Sequence, residues 1–208
     1  MTTILHISSS SNLDGSVTRE IGAVVAETLR SLHPGAILIG RDLVKRQLPH
    51  IGPEFIGAMF TNPEAPELAL SRELIDELFS SDVIVIEAPM YNFSIPSALK
   101  AWIDHVVRAG VTFKYGPDGV EGQLKGKKLI LILGRGGVYS EGPLKAMEFQ
   151  ENYLRAILGF VGLTDIETIT VEGVAMGPEQ RADALANAKT QALNIFSVIR
   201  KGSVPIAV

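Results

Sequence analysis

The chain has 208 residues, is 46% hydrophobic and 20% charged, carries a net charge of −4 and contains no cysteine. That size suits one α/β domain with a sizeable core, and the charge gives no electrostatic basis for a nucleic-acid or anionic-membrane partner. Without cysteine there are no disulfides, thiolate nucleophiles or Cys-metal sites, and a reducing, cytoplasmic setting is expected.

The first eleven residues lack a basic stretch and hold only four apolar-flanked positions, Ile4 to Ile7, before the serines begin, so no signal peptide is expected. Thr3–Ile7 is read as the first strand. Apolar residues at 21, 24, 25, 29 and 32 then mark an amphipathic helix over Thr18–Leu32. A second strand is predicted over Ala36–Ile39. Residues 44–66 hold four prolines and two glycines, too many for one regular element, and are read as an excursion with a helical turn near Glu54–Phe60.

Leu70, Leu74, Ile75, Leu78 and Phe79 give a helix, on which Glu73, Asp76 and Glu77 are read as a solvated face. Val83–Ile86 is a strand. Leu99, Trp102, Ile103, Val106 and Val107 predict the next helix, with Trp102 in the core and His105 a surface or satisfied histidine. Residues 113–126, with Gly-Pro-Asp-Gly at their centre, predict a hairpin. Leu129–Leu133 is an apolar run too short to span a bilayer, and Ile166–Val171 is the last strand. Leu144, Met147, Leu154, Ile157 and Leu158 predict one helix. A final helix after Pro178 buries Leu185, Ala188, Ala192, Ile195, Phe196 and Ile199. Strand and helix thus alternate five times, and two of the strands, Leu129–Leu133 and Val83–Ile86, lack polar alternation. The pattern predicts a single domain over 1–208, an open parallel sheet of five strands with helices on both faces.

Ligands of such sheets bind beyond the C-terminal strand ends. After the first strand come Ser8, Ser9, Ser10, Ser11, Ser16 and Thr18, six hydroxyls at a helix start where free N–H groups favour an anion; capping by Ser16 explains one of them. The segment is not a P-loop. After the third strand stand Met90, Tyr91, Asn92 and Phe93, large side chains on a turn that would ordinarily take Gly, Ser or Asp. After the fourth come Gly134, Arg135, Gly136 and Gly137, which fail as a dinucleotide fingerprint but permit close backbone approach. Arg135 is read as more often solvated than ligand-bound. A phosphate cradle, an aromatic wall and a glycine edge together suit a planar heteroaromatic ligand with one phosphate, such as FMN. The four histidines have no ligand spacing, so no metal is expected, and there is no G-x-S-x-G elbow.

"SSSSNLDGSVT", "PMYNF", "LKAWID…RAGVTFKY", "LKGKK" and "GRGG" resemble the FMN-dependent NADH:quinone oxidoreductases, the bacterial azoreductases, over Ile4 to about Gly177. The resemblance implies a flavodoxin-like fold in which Ser10, Ser16, Val17 and Thr18 hold the FMN phosphate and ribityl chain. It places Met90, Tyr91, Asn92 and Phe93 along the ring and Gly134, Arg135, Gly136 and Gly137 at its pyrimidine edge. Many members have Ser where this chain has Gly134. It further implies homodimers with active sites at the interface, and Phe113 and Phe160 near the substrate. The implied reaction is ping-pong hydride transfer from NADH or NADPH through flavin N5 to quinones, azo compounds or nitroaromatics, with the chemistry on the cofactor. The alternatives are a flavodoxin-type electron carrier, disfavoured by the modest charge and extra loops, and a phosphodiesterase, for which no nucleophile or metal is visible.

Overall fold

The structure, a computed structural model, describes residues 1–201, with side chains as far as Phe196. Five parallel strands form the main sheet: β1 (Thr3–Ser8), β2 (Ile37–Asp42), β3 (Val83–Pro89), β6 (Lys128–Gly134) and β7 (Asp165–Val171). Their order is β2-β1-β3-β6-β7, and β4 (Phe113–Gly116) with β5 (Gly119–Gly122) forms the separate hairpin expected within 113–126. Leu129 to Leu133 are fully buried, which is why that run shows no polar alternation.

Strand alternation builds two cores. Leu5, Ile7, Ile84, Ile86, Leu129 and Leu131 face α3 (Ala69–Ser80), α4 (Ser97–Val106) and α5 (Glu151–Phe160). Ile4, Val85, Ile130 and Ile132 face α1 (Val17–Leu32) and α6 (Pro178–Lys201). Each fully buried Leu or Ile contributes about 1.5–3 kcal/mol over its exposed state. Trp102 is fully buried in the first core. Ile199 lies outside the residues whose side chains are described. No helix among the described residues is long and apolar enough to cross a membrane.

Three expectations need correction. Helix α2 (Pro53–Thr61) is longer than a turn; Phe55 and Ala58 bury against Ala65 and Leu68 in a small satellite core. The single helix expected through Leu144 and Leu158 is two pieces, a 3-10 turn over Pro143–Met147 and then α5. Glu148 divides them, its Oε1 accepting from the N–H groups of Gln150 (2.9 Å) and Glu151 (2.7 Å), donors that open α5. Leu144 and Met147 are consequently exposed. Glu73 and Glu77 are not a merely solvated face: both hold buried Arg41 of β2, Glu73 at 2.7 Å, tying α3 to the sheet. Of the two readings of His105, surface or satisfied, the second holds: the residue is buried, its Nε2 donating to Pro49 O at 2.9 Å and its ring meeting Phe55 edge-on. It fastens the 44–66 excursion to α4.

Candidate functional site

From β1 the chain runs outward to β2 on one side and to β3, β6 and β7 on the other. The switch point between β1 and β3 is where open α/β sheets hold ligands. Three connections meet there.

In the first, Ser16 caps α1 with extended backbone (φ −70°, ψ 123°), its hydroxyl accepting the Arg19 N–H at 3.4 Å and pairing with Thr18 Oγ1 at 3.1 Å. The Val17 and Thr18 N–H groups, at the first two helical positions, have no carbonyl one turn behind them, so the positive end of α1 opens onto the crevice. The run of hydroxyls is thinner as a cradle than its composition suggests. Ser9 is fully buried and donates to Glu87 O at 2.6 Å, and the Thr18 side chain is fully buried, leaving only its N–H. Arg19 forks onto Asp42 (2.8 and 3.2 Å) and donates to Ser10 O at 2.8 Å, which fixes the loop. Burial alone would raise the Asp42 pKa. Hydrogen bonds from Arg19 and from the Lys45 and Val44 N–H groups outweigh it and hold this carboxyl below its ordinary range.

The second connection is a two-residue turn. Tyr91 and Ser94 exchange N–H···O bonds of 2.9 and 3.0 Å, while Asn92 and Phe93 both take positive φ, 48° and 70°. That is the hairpin turn normally written Asn-Gly; Asn92 suits it and Phe93 does not. The Tyr91 hydroxyl accepts the Ser11 N–H at 3.1 Å, so this ring bridges to the first connection.

In the third, Met90 N–H donates to Gly134 O at 2.6 Å, extending the β3–β6 pairing to the crevice floor. The carbonyls of Arg135, Gly136 and Gly137 accept from Val174, Ala175 and Gly173, whereas the Gly136 and Gly137 N–H groups donate to none of the described residues. Arg135 is neither solvated nor free to reach a ligand. Its guanidinium is 2% exposed and bonded to Glu172 (2.8 Å), Gln150 (3.1 Å), Glu148 (3.2 Å) and Glu151 (3.4 Å). Burial works to raise the Glu172 pKa, but hydrogen bonds from Ser140, Arg135 and the Tyr139 N–H keep it low. A Cβ at position 134 would lie 2.6 Å from Thr18 Cγ2 and 3.2 Å from Val17 Cγ2, so glycine there is the complement of the two bulky residues opening α1.

These connections enclose a crevice of about 210 Å³ lined by Ser10, Ser16, Val17, Met90, Tyr91 and Gly134. Gly136 and the backbone of Arg135 complete the predicted part of its wall. Phe93 stands beside it, edge-on to Tyr139 at 6.2 Å, and is 40% exposed. Phe113 and Phe160 form a separate pair, rings 4.6 Å apart, between the hairpin and the end of α5; within one chain they do not line the crevice. A larger depression of about 600 Å³ nearby is lined by charges of both signs, Arg135 and Lys145 together with Glu148, Glu151 and Glu172. Among the described residues no group of three or more His, Asp or Glu could hold a metal.

A family model described as "flavodoxin-like fold" matches residues 2–196. The chain is 52% identical over 192 residues to the FMN-dependent NADH:quinone oxidoreductase of Herminiimonas arsenicoxydans, covering 89% of this chain and 94% of that one. The chain belongs to this oxidoreductase family. The Francisella philomiragia member is 47% identical over 195 residues, covering 94% and 99%. Among solved structures, an azoreductase from Bacillus anthracis superposes with TM-score 0.86 at 30% identity, covering 94% and 98%. An FMN-dependent NADH-azoreductase of the same species, solved in complex with FMN, superposes with TM-score 0.82 at 26% identity, covering 94% and 99%.

Membership in an enzyme family sets the electron-carrier alternative aside. In this oxidoreductase the crevice has further walls that motif reading missed: Asn12 and Gly15 within the first connection, and Val174 and Arg181 from the segment after β7. The signal was present in part. The C-terminal end of β7 and the helix start at Pro178 place residues 172–181 at the same sheet end.

Proposed function

We propose that the chain is an FMN-dependent enzyme that passes two electrons from NADH or NADPH to quinones, azo compounds or nitroaromatics in a ping-pong cycle, in the cytoplasm. The observation that carries this reading is the meeting at one switch point of three features that suit this cofactor. They are the open N-terminus of α1, the Tyr91–Ser94 turn and the Gly136 and Gly137 N–H groups, which donate to none of the described residues.

The residues fit the cofactor's chemistry. FMN, when bound, supplies reversible hydride acceptance between a nicotinamide and an oxidised substrate. Ser10, Ser16 and the Val17 and Thr18 N–H groups would hold the phosphate end. Met90 and Tyr91 would give apolar contact to the ring, with Asn92 hydrogen bonding at its edge. The Gly136 and Gly137 N–H groups would stabilise negative charge at the edge facing them. Phe113 and Phe160 are proposed to meet substrate across a homodimer interface. A 210 Å³ crevice is smaller than the roughly 300–1,000 Å³ of pockets that enclose a ligand of this size, which supports a second wall contributed by another copy.

The purified chain is expected to be yellow with one FMN per chain, to bleach on anaerobic NADH or NADPH, and to regain colour on adding a quinone. A colourless protein that takes up no FMN defeats the reading. Failure to bleach would leave a flavoprotein without this activity.

A further inference from the structure

We propose that Arg181, in the first turn of α6, is the counter-charge for the phosphate of the bound flavin. The inference rests on the cradle placement proposed above. A flavin mononucleotide phosphate carries close to two negative charges at neutral pH, and the first connection offers it hydroxyls and N–H groups but no lysine. Two guanidinium groups come near. Arg19 is committed, forked onto Asp42 and bonded to Ser10 O. Arg181 is not. Its Nη2 donates to Gly15 O at 2.7 Å, and the side chain lines the crevice with Ser10, Asn12 and Ser16. It makes no ion pair among the described residues, so one of its five N–H donors is used and its charge has no partner.

The fold explains how a residue so late in the chain reaches a loop 166 positions earlier. Helices α1 and α6 lie side by side on one face, joined by the Lys189–Glu20 ion pair at 2.8 Å. Each follows a strand of the parallel sheet, α1 after β1 and α6 after β7, so their N-termini open at the same end of it. Arg181 sits on the turn of α6 level with the loop that enters α1, and its bond to Gly15 holds the guanidinium at the cradle's rim. Gly15 has φ of 80°, which lets the loop turn its carbonyl toward Arg181. A planar guanidinium so placed can take two phosphate oxygens at once, which an ammonium cannot.

Charge pairing and loop support make different demands on the ligand. Riboflavin has the same ring and ribityl chain as FMN but no phosphate. The full chain should be loaded with each flavin, and the dissociation constant read from the fluorescence of flavin released on dilution. For Arg181→Gln, FMN should bind about tenfold more weakly, the loss of one charge-assisted hydrogen-bond partner, while riboflavin binding stays as in the wild type. Added NaCl should weaken FMN binding less in the variant than in the wild type. Arg181→Lys should fall between.

Equal weakening of both flavins would make Arg181 a loop support only, and unchanged FMN binding would remove it from the site; either result overturns the proposal. Ser16→Asp separates this failure from failure of the cradle itself. If Ser16→Asp expels FMN while Arg181→Gln binds it normally, the cradle stands and Arg181 has no part in it. If Ser16→Asp keeps stoichiometric FMN, the phosphate lies elsewhere and the cradle placement falls with it.

Discussion

Phe93 holds a conformation its side chain disfavours. A non-glycine residue with φ near 70° costs about 1–2 kcal/mol, and a turn with two positive φ values ordinarily ends in glycine. The ring does not recover this by burial, being 40% exposed with one edge contact to Tyr139. A plug at the end of a core strand would be buried, so strain with exposure supports the proposed contact of this ring with the flavin. Phe93→Gly is accordingly expected to leave urea stability within about 1 kcal/mol of wild type while lowering the rate of quinone reduction. A stability loss of about 3–5 kcal/mol, as for a core Phe, with an unchanged rate would show a plug after all. Asn92 is the other half of the turn and tolerates its φ of 48° through its short polar side chain. Both residues were visible in the sequence as an odd choice for a turn. Their backbone strain was not, because it is fixed by the Tyr91–Ser94 bonds that close the loop.

The segment between β6 and α5 is organised by one ion cluster. Arg135 leaves the strand end, buries its guanidinium and gathers Glu148, Glu151 and Glu172 around it, while Gln150 reaches Ala88 O at 2.8 Å. This leaves Gly136 on the crevice wall while the Arg135 guanidinium is held in the cluster. Removing the cation leaves carboxylates unpaired where little solvent reaches them, so Arg135→Met should lose about 3 kcal/mol at neutral pH. The pH dependence follows from Glu172, whose carboxyl is held below its ordinary range in the fold. A depressed folded pKa stabilises above the unfolded value and loses that contribution as pH falls through the folded one. The deficit of Arg135→Met should therefore shrink below about pH 4, as read from urea midpoints across pH. A deficit constant with pH would mean the arginine acts through packing alone. The same cluster marks the limit of the sequence. Helices and strands whose apolar spacing is regular, such as α1, α4 and β6, were legible from neighbours a few positions apart. Arg135 looked solvated because its partner Glu172 lies 37 positions away and across a strand, and Arg41 with Glu73 and Glu77 hid for the same reason.

Over the whole molecule, the alternation of buried strands with amphipathic helices made an open parallel sheet legible, and with it a site beyond the C-terminal strand ends. The strand order, and so the switch point between β1 and β3, was not legible because it depends on which distant strands pair. The crevice itself is small and open to one side. Its volume of about 210 Å³ is below that of pockets that enclose a ligand, and large apolar side chains stand exposed, Tyr91, Phe93 and Phe149 from the segments around its mouth and Phe60 on the 44–66 excursion. Phe113 and Phe160, expected near substrate, line none of it within the chain. A proposed homodimer resolves both facts if the partner's surface closes the crevice. Mass action then couples the two equilibria, since a cofactor held between copies favours the dimer and the dimer favours the cofactor. Sedimentation velocity on serial dilutions, followed at the flavin absorbance, should show flavin lost from the protein as the dimer boundary gives way to monomer. Excess FMN should shift that transition to lower protein concentration. A monomer that sediments with flavin bound as tightly as the dimer does would mean that one chain closes its own site.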